Sequence, residues 1–513
     1  MNIPSGDNQG EQSRGMNDSM RQEANPYPKA SARRLASALR AFLPADSVLV
    51  DDEDLRPYEC DALSAYRQVP LVAVLPETIE QTQQVLRLCN EQRIPVVARG
   101  AGTGLSGGAL PHSEGLLLSL SKFNRILEID LSNRSARVQP GVRNLAISEA
   151  VAQYGLYYAP DPSSQIACSI GGNVAENSGG VHCLKYGLTV HNILQLKIIT
   201  MSGELITLGG RGLDGPGYDL LALLTGSEGM LGVIVEVTVK LLVEPERAQV
   251  LLAAFDDVPT AGAAVAAIIA AGIIPAGLEM MDNTTIRATE AYAHAGYPIE
   301  AAAILLCELD GNSEDVAQQV AQLQALLSAQ GVTQMRVAAD EDERKRMWAG
   351  RKAAFPAIGR LAQDYYCMDG TIPRKQLAYV LTRIAELSAQ YRLPVANVFH
   401  AGDGNLHPLI MYDISKPDEL KRTEELGGEI LELCVSVGGS ITGEHGVGVE
   451  KINQMCVQFR PAELEQFHAI KRAFDPHSLL NPGKAVPTLA RCAEFGRMHV
   501  HKGKLAFPEL ERF

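Results

Sequence analysis

The sequence lacks three features that define large classes of protein: closely paired cysteines, long apolar runs and an excess of positive charge. Its nine cysteines are odd in number and none are spaced as CxxC. Neither a disulfide framework nor an internal ferredoxin-like iron–sulfur cluster is therefore expected, and a reducing compartment is favoured. The longest apolar run, residues 261–274, is shorter than the ~20 residues that span a bilayer. We therefore expect no transmembrane segment.

The net charge of −14 opposes binding to nucleic acid, whose phosphates require a basic surface. Local cations must therefore attract an anionic substrate. Residues 1–30 are polar and lack the apolar core of a secretory signal, so we expect a disordered tail there. These features predict a cytoplasmic protein. Peripheral attachment at the inner face of the cell membrane, through partner subunits, stays open.

The 513 residues are enough for two or three domains. Apolar runs predict strands at 71–75 and 95–98, and the helical periodicity that begins at Thr78 fills the space between them. At Glu244-Pro245 the sequence becomes Ala-rich and poor in glycine. We therefore predict an α+β protein with one domain over 31–245 and others beyond it.

A glycine-rich loop, residues 100–108 (GAGTGLSGG), directly follows the second predicted strand. It formally matches GxGxxG, but a Rossmann turn needs an immediate helix, and Pro111 and the strand LLLSL follow instead. Glycines still let backbone N–H groups surround a phosphate, and Arg99, Thr103 and Ser106 add donors. The loop therefore predicts a pyrophosphate site of another kind. A flexible surface hairpin is the alternative.

Further loops of similar character follow along the chain. They are DPSS at 161–164, GGNVAENSGG at 171–180, KYG at 185–187 and GSEGMLG at 226–232. Several glycine-dense loops beside strands indicate a long, flat ligand that lies across backbone.

The ordered motifs PVVARGAGTGLSGG, PDPSS, IGGNVAENSGG, KYG and GSEGMLGVI resemble the FAD-binding fold of the vanillyl-alcohol oxidase type. Within that superfamily the chain is most similar, from about residue 55 to 485, to the flavin subunits of bacterial glycolate oxidases and to D-lactate and D-2-hydroxyglutarate dehydrogenases. The resemblance implies a two-subdomain FAD-binding domain over 31–245 and an α+β substrate and metal (cap) domain over 246–455. It also implies a C-terminal segment, 456–485, that packs on the FAD-binding domain, followed by a peripheral tail, 486–513.

The resemblance also implies which residues contact FAD. They are Arg99, Gly100, Ala101, Gly102, Thr103, Gly104, Leu105, Ser106, Gly107, Pro160, Asp161, Ser163, Gly171, Gly172, Asn173, Asn177, Ser178, Gly179, Gly180, Glu228, Gly232, Ile234 and Asn481.

The segment VFHAGDGNLHP predicts a metal site. Asp403-Gly404 is a two-residue hairpin signal, and counting outward from it pairs His400 with His407, with Cβ atoms ~5 Å apart. The later motif TGEHGVG adds Glu444. Two histidines and one carboxylate leave coordination positions open for catalysis, and this donor set suits Zn, Mn or Fe. Related dehydrogenases carry a metal on the matching residues. Hydrogen-bonded core histidines are the alternative.

Two residues beside this motif are candidates for catalysis. His445 has an ordinary pKa of ~6.5, which suits a base near neutral pH. Alternatively it is a fourth metal ligand, with Glu444 behind it. The resemblance implies that Arg351 holds the substrate carboxylate, for which a guanidinium is suited. A solvated helix face is the alternative for Arg351.

The resemblance also bears on the substrate. The 2-hydroxyglutarate enzymes carry a lysine where this chain has Cys367, which disfavours a dicarboxylate, although Arg374 and Lys375 could compensate. We therefore expect an FAD-dependent dehydrogenase for a small 2-hydroxy acid, with glycolate favoured and D-lactate next, acting by hydride transfer to the flavin.

Electrons would then pass to a second flavin subunit and an iron–sulfur subunit, as the resemblance implies. Two alternatives stay open. One is a flavin-dependent transferase like the alkylglycerone-phosphate synthases, and the other is a non-catalytic flavin-binding subunit.

Overall fold

The structure is a computed structural model that describes residues 32–212, 215–488 and 491–492. The predicted tail at 1–30 lies outside the described residues, as does most of the predicted tail at 486–513. The description below is confined to the described ranges.

The first half of the chain alternates short helices and strands. Its helices are α1 (Ala32–Leu39), α2 (Asp52–Leu55), α3 (Ile79–Gln92), α4 (Asn144–Val151), α5 (Ile170–Glu176), α6 (Cys183–Tyr186) and α7 (Leu220–Leu224). Its strands are β1 (Val48–Leu49), β2 (Val72–Val74), β3 (Val96–Arg99), β4 (Leu116–Ser119), β5 (Ile126–Asp130), β6 (Ser135–Val138), β7 (Leu156–Tyr157), β8 (Ile193–Ile199), β9 (Leu205–Gly209), β10 (Val233–Lys240) and β11 (Leu242–Val243).

The first sheet has the strand order β1-β2-β4-β3, in which β2, β4 and β3 run parallel. Helix α3 connects β2 to β3, as the sequence predicts. Thr78 caps it by accepting a hydrogen bond from the Gln81 amide, which satisfies one of the free amides of the first turn. The segment 100–115 between β3 and β4 contains no helix. The glycine loop therefore differs from a Rossmann turn, as predicted.

The second sheet is antiparallel, in the order β5-β6-β10-β8-β9. Helix α5 packs on β10 and begins at Ser169, whose side chain accepts from the Gly172 amide. A Cβ on Gly100 would stand 2.1 Å from the Ser169 Oγ. The glycine loop after β3 therefore meets the start of α5.

The second half of the chain is built on one large sheet. Its helices are α8 (Val258–Ala270), α9 (Asn283–Ala293), α10 (Ser313–Ser328), α11 (Glu341–Lys352), α12 (Ala354–Ile358), α13 (Leu377–Tyr391), α14 (Glu419–Ser436), α15 (Met455–Gln458) and α16 (Pro461–Phe474). Its strands are β12 (Arg247–Phe255), β13 (Gly277–Asp282), β14 (Ala303–Gly311), β15 (Gln334–Val337), β16 (Asp364–Cys367), β17 (Gly370–Thr371), β18 (Val395–His400) and β19 (Asn405–Tyr412). The sheet order is β15-β12-β14-β13-β18-β19-β16, with β17 also paired to β19.

The hairpin of β18 and β19 carries both candidate histidine ligands, but the predicted register is wrong. His400 pairs with Asn405, and His407 pairs with Val398. The turn therefore spans 401–404 and is longer than the Asp403-Gly404 pair. Side chains alternate along a strand with a period of two, so this two-residue shift leaves both histidines on one face.

The segment after α16 returns to the first sheet. Leu480 bridges to Val96 of β3 in parallel, and the Asn481 amide donates to the Val96 carbonyl at 2.8 Å. The Asn481 side chain donates to the carbonyls of Gly108 and Glu228 at 3.1 and 2.7 Å. This segment thus connects the glycine loop with the turn before β10.

Cys456 and Cys492 form a disulfide, with Cα atoms 5.3 Å apart. The odd number of cysteines and the lack of CxxC spacing predicted none. An odd count does not exclude a single pair, and CxxC spacing detects only partners near in sequence, whereas these two are separated by 36 residues. The other described cysteines are free.

Candidate active site

A cavity of about 480 Å³ lies between the loops of the first half and the large sheet of the second. It brings together most of the residues for which FAD contacts are predicted. Those that line it are Arg99, Gly100, Ala101, Gly102, Thr103, Gly104, Leu105, Ser163, Gly171, Gly172, Asn173, Ser178, Glu228, Gly232 and Ile234. The predicted residues outside the lining are Ser106, Gly107, Pro160, Asp161, Asn177, Gly179, Gly180 and Asn481.

Several residues of the lining are glycines at positions where a Cβ would clash with a neighbouring residue. Their backbone is therefore open to a dinucleotide. Gly102 has a φ of +73°, and a Cβ there would stand 2.1 Å from the Arg99 Nη2. A Cβ on Gly171 would stand 2.5 Å from the Pro140 Cβ, and both residues line the cavity. Arg99 lies in the wall and donates to the Cys60 carbonyl at 2.7 Å. This cation and the open backbone suit a pyrophosphate.

At the other end of the cavity the three predicted metal ligands converge. The Glu444 Oε1 lies 2.9 Å from the His407 Nε2 and 3.5 Å from the His400 Nε2. One donor atom from each residue lies within 4.8 Å of the other two. His407 and Glu444 line the cavity, and His400 stands behind them. The three side chains are nearly inaccessible to solvent.

Each imidazole is oriented through its other ring nitrogen. The His400 Nδ1 hydrogen-bonds the Glu279 Oε1 at 2.9 Å, and the His407 Nδ1 lies 3.3 Å from the Met368 carbonyl. Both Nε2 atoms therefore face Glu444. A metal-binding histidine typically has such a second partner, so the donor set and its surroundings fit a divalent ion.

Glu279 belongs to this cluster of side chains, and the sequence analysis did not identify it. Its carboxylate also accepts from the Arg351 Nε at 2.7 Å, and the Arg351 Nη2 lies 2.6 Å from the same oxygen. Burial acts to raise the pKa of Glu279, but the charges of His400 and Arg351 outweigh it and leave the pKa below its usual value. The signal available in the sequence was an acid, Glu279, among the apolar residues of the strand GLEMMD.

Arg351 does not line the cavity, because its guanidinium is buried against Glu279. The neighbouring Lys352 does line it, together with Phe355 and Pro356. The turn from α11 into α12 therefore presents a lysine and an aromatic ring to the cavity. The predicted arginine instead pairs with Glu279, which contacts His400.

The backbone of the loop that carries Glu444 and His445 donates several hydrogen bonds to the buried carboxylate of Asp369. Asp369 accepts from the amides of Gly443, Glu444 and His445 at 2.9 to 3.1 Å. The Lys451 Nζ lies 3.1 Å from the same carboxylate. Burial opposes ionisation of Asp369, but the Lys451 charge lowers its pKa below the usual range. The loop is thereby fixed next to the hairpin.

His445 lines the cavity and stacks on His407, with ring centroids 5.0 Å apart. Burial lowers the pKa of His445 to about 4, which favours the neutral imidazole. Its Nε2 lies 3.7 Å from the Glu444 Oε1. Among the described residues its buried Nδ1 has no hydrogen-bond partner.

A second set of donors overlaps the first. Cys367, His407 and His445 also lie within 4.8 Å of one another. Burial raises the pKa of the Cys367 thiol well above its usual value, which disfavours the thiolate that a metal requires. The set with Glu444 is therefore the better ion site.

In the ranges that the structure describes, no helix combines the length and apolar character needed to cross a lipid bilayer.

Comparison with known proteins agrees with this architecture. Residues 70–209 match the family described as "FAD binding domain" and residues 244–485 match "FAD linked oxidases, C-terminal domain". The chain is 64% identical to glycolate oxidase subunit GlcD of Escherichia coli (strain K12), covering 95% of this chain and 97% of the relative. It is 33% identical to a D-lactate dehydrogenase of Anaerostipes hadrus, covering 85% and 94%.

Among solved structures, p-cresol methylhydroxylase with substrate bound matches with a TM-score of 0.78 at 20% identity, covering 91% of this chain and 98% of that one. This likeness confirms the predicted fold class, an FAD-binding domain of the vanillyl-alcohol oxidase type followed by an α+β domain. With its two matched domains and a near-full-length relative at 64% identity, the chain belongs to the FAD-linked oxidases.

Proposed function

We propose that the chain oxidises a small 2-hydroxy acid, glycolate in the first place and D-lactate next, to the 2-oxo acid. The observation that carries this proposal is that His407, Glu444 and His445 line the same cavity as the glycine loop at 100–104. A candidate metal and base therefore face the FAD cavity directly. The names of the two relatives, a glycolate oxidase subunit and a D-lactate dehydrogenase, supply the substrate class.

FAD in this cavity would supply the hydride acceptor for the substrate carbon. His400, His407 and Glu444 would hold a divalent metal, which would supply Lewis acidity at the substrate hydroxyl. The same donors suit Zn, Mn or Fe. His445 accepts the hydroxyl proton at Nε2, the nitrogen nearer to Glu444, and burial keeps the ring neutral until then.

The substrate carboxylate needs a cation because the chain as a whole is acidic. Lys352 lines the cavity, so we assign direct attraction of the carboxylate to it. Arg351, the residue that the sequence predicted for this role, would have to leave Glu279 to reach the cavity. While it remains there, its role is to hold Glu279 against His400.

Two further residues near the candidate metal ligands, Phe355 and Cys367, favour a small substrate with one carboxylate. Phe355 lines the cavity and packs edge-on against His407, with ring centroids 6.5 Å apart. Cys367 is buried beside His407 and His445 and offers no cation for a second carboxylate. This leaves glycolate and D-lactate ahead of dicarboxylates.

Electrons must then leave the reduced FAD. Among the described residues, each candidate metal-binding cluster contains at most one cysteine, whereas iron–sulfur clusters need several. We therefore propose transfer to a partner assembly with a second flavin subunit and an iron–sulfur subunit. That assembly would also account for attachment to the inner face of the cell membrane.

The test is anaerobic mixing of the FAD-loaded protein with glycolate, D-lactate, L-lactate and D-2-hydroxyglutarate. We expect glycolate and D-lactate to bleach the flavin absorbance. The variant His445→Gln should bleach roughly 10²–10⁴-fold more slowly with its FAD content unchanged. His477→Gln, at an exposed position, is the matched control. An unchanged rate in His445→Gln would remove the proposed base, whereas a wild-type flavin that none of the four acids bleaches would favour a non-catalytic flavin subunit.

The transferase alternative is separated by the same assay. A transferase uses flavin without net oxidation, so it would give no bleaching with any of the four acids and no turnover with an artificial electron acceptor. Bleaching by glycolate followed by reoxidation with such an acceptor is the result that our proposal requires.

A further inference from the structure

Glu176, at the end of α5, lines the cavity and has no role in the mechanism above. A Cβ on Gly108 would stand 2.7 Å from its Oε1, and a Cβ on Gly446 would stand 2.0 Å from its Oε2. The two glycines thus leave a slot that this carboxyl group fills. The slot lies next to His445, at the reactive end of the cavity.

The carboxyl group in this slot is poorly paired. Its Oε2 is buried without a hydrogen-bond partner among the described residues. The neighbouring acid Glu228 is already satisfied, since it accepts from the amides of Val447 and Gly448 at 2.8 and 2.7 Å. A buried, unpaired carboxylate beside another carboxylate is unfavourable, so Glu176 is expected to remain protonated.

The cations nearby are bound elsewhere. The Lys484 Nζ donates to the Gly108 carbonyl at 2.8 Å, and the Lys451 Nζ donates to Asp369 and to the Gly446 carbonyl at 3.1 and 2.8 Å. Burial, followed by the charges of Glu228 and Asp61, raises the pKa of Glu176 well above its usual value, against the opposing charges of these two lysines.

We propose that Glu176 is a neutral acid whose O–H donates a hydrogen bond to the FAD ring system and favours its reduced form. A carboxylic acid held neutral is a donor, whereas an ionised one only accepts. Reduction adds negative charge to the ring, and a hydrogen bond to a charged acceptor is stronger than one to a neutral acceptor. The donor therefore shifts the equilibrium toward reduction.

This inference rests on the proposed function in one respect, because the reactive end of the cavity is identified by His407, Glu444 and His445. Its test is made without substrate. The ratio of reduced to oxidised flavin is measured against a reference dye at fixed potential, in the wild type and in Glu176→Gln and Glu176→Leu. Glu450→Gln is the control, because Glu450 is also a buried acid but does not line the cavity.

We expect Glu176→Gln, which keeps an uncharged donor, to match the wild type. Glu176→Leu should lower the reduced-to-oxidised ratio by roughly tenfold, the difference between a hydrogen bond to a charged and to a neutral acceptor. A Gln variant that is much easier to reduce would mean that Glu176 is an anion and would overturn the proposal. Equal ratios in all the proteins would overturn it as well.

Infrared difference spectra of flavin reduction decide the question even where Glu176→Leu fails to bind FAD. We expect a band of a protonated carboxyl group that shifts on reduction in the wild type and in Glu450→Gln and is absent in Glu176→Gln. Its absence from the wild type contradicts the proposal. If glycolate bleaches the flavin but the wild type lacks the carboxyl band, the proposed function stands and the role of Glu176 is refuted. If the band is present but glycolate does not bleach the flavin, only the role of Glu176 is supported.

Discussion

At the scale of single residues, the carboxylate of Glu279 contacts both Arg351 and His400. It accepts from the Arg351 Nε through Oε2 and contacts the His400 Nδ1 through Oε1. All three side chains are buried. The carboxylate thus offsets the desolvation of a guanidinium and fixes the ring of a candidate metal ligand.

We predict that Glu279→Gln weakens metal binding by roughly 10–100-fold, because His400 loses the partner that orients it. The same change leaves Arg351 buried without a counter-ion, so the free energy of unfolding should fall by about 3–5 kcal/mol. Chelator competition and urea unfolding measure the two effects. Glu300→Gln, whose side chain is 86% exposed, is the control. Unchanged metal affinity in Glu279→Gln would refute the orienting role.

The sequence identified the candidate ligands but not the residue that orients them. His400, His407 and Glu444 stand in glycine-rich motifs whose composition signals a site. Glu279 lies in an apolar strand, and its link to His400 arises because β13 pairs with β18, where the two residues stand opposite each other. Such a pairing joins segments far apart in the chain, and residue patterns do not reveal it.

At the scale of elements, the β18–β19 hairpin sets the separation of the two histidines. Its turn is closed by a hydrogen bond from the Gly404 amide to the His400 carbonyl at 3.1 Å. Gly404 has a φ of +84°, and a Cβ there would stand 2.2 Å from the Ile372 carbonyl oxygen. Two reasons therefore favour glycine at this position: the positive φ, and the lack of space for a Cβ.

We predict that Gly404→Ala lowers the free energy of unfolding by more than about 1 kcal/mol and also weakens metal binding, because the turn must shift. Gly272→Ala is the matched control. Gly272 has a similar φ of +78° but nothing within 4 Å of its Cβ position, so it tests backbone strain alone. Equal unfolding free energies and metal affinities for the two variants would show that the Ile372 contact has no effect.

Sequence patterns predicted those elements whose formation depends on residues close together in the chain. The strand–helix–strand unit of β2, α3 and β3 followed from apolar periodicity and the Thr78 cap. The hairpin register did not, because Asp403-Gly404 satisfies a two-residue turn, whereas the turn in the structure spans 401–404 and its Gly404 lies against Ile372. The Cys456–Cys492 disulfide was missed for the same reason, since only folding brings these residues together.

At the scale of the whole molecule, His182 joins the two halves of the chain. Its Nδ1 lies 2.9 Å from Asp161 in the first half, and its Nε2 lies 3.2 Å from Glu308 in the large sheet. Arg344 and Trp348 also donate to Glu308. Burial acts to lower the pKa of His182, but the two carboxylates outweigh it and raise the pKa well above its usual value.

A pKa that is higher in the folded than in the unfolded state makes the free energy of unfolding fall as pH rises. The stabilisation by protonated His182 is complete below the unfolded pKa of ~6.5 and is lost as pH rises through the higher folded pKa. We predict that the difference in unfolding free energy between wild type and His182→Gln is largest near pH 6 and shrinks on the alkaline side. Urea unfolding across pH measures it, and a difference that grows with pH would contradict this account.

The central claim is that His400, His407 and Glu444 hold a metal that faces the FAD in one shared cavity. The most direct measurement is the anaerobic rate at which glycolate bleaches the flavin in protein stripped of metal by a chelator and then reloaded. We predict that the stripped protein keeps its FAD, loses most of that rate and regains it when Zn, Mn or Fe is added, and that His407→Ala does not regain it. Full-rate bleaching of the stripped protein would contradict the claim.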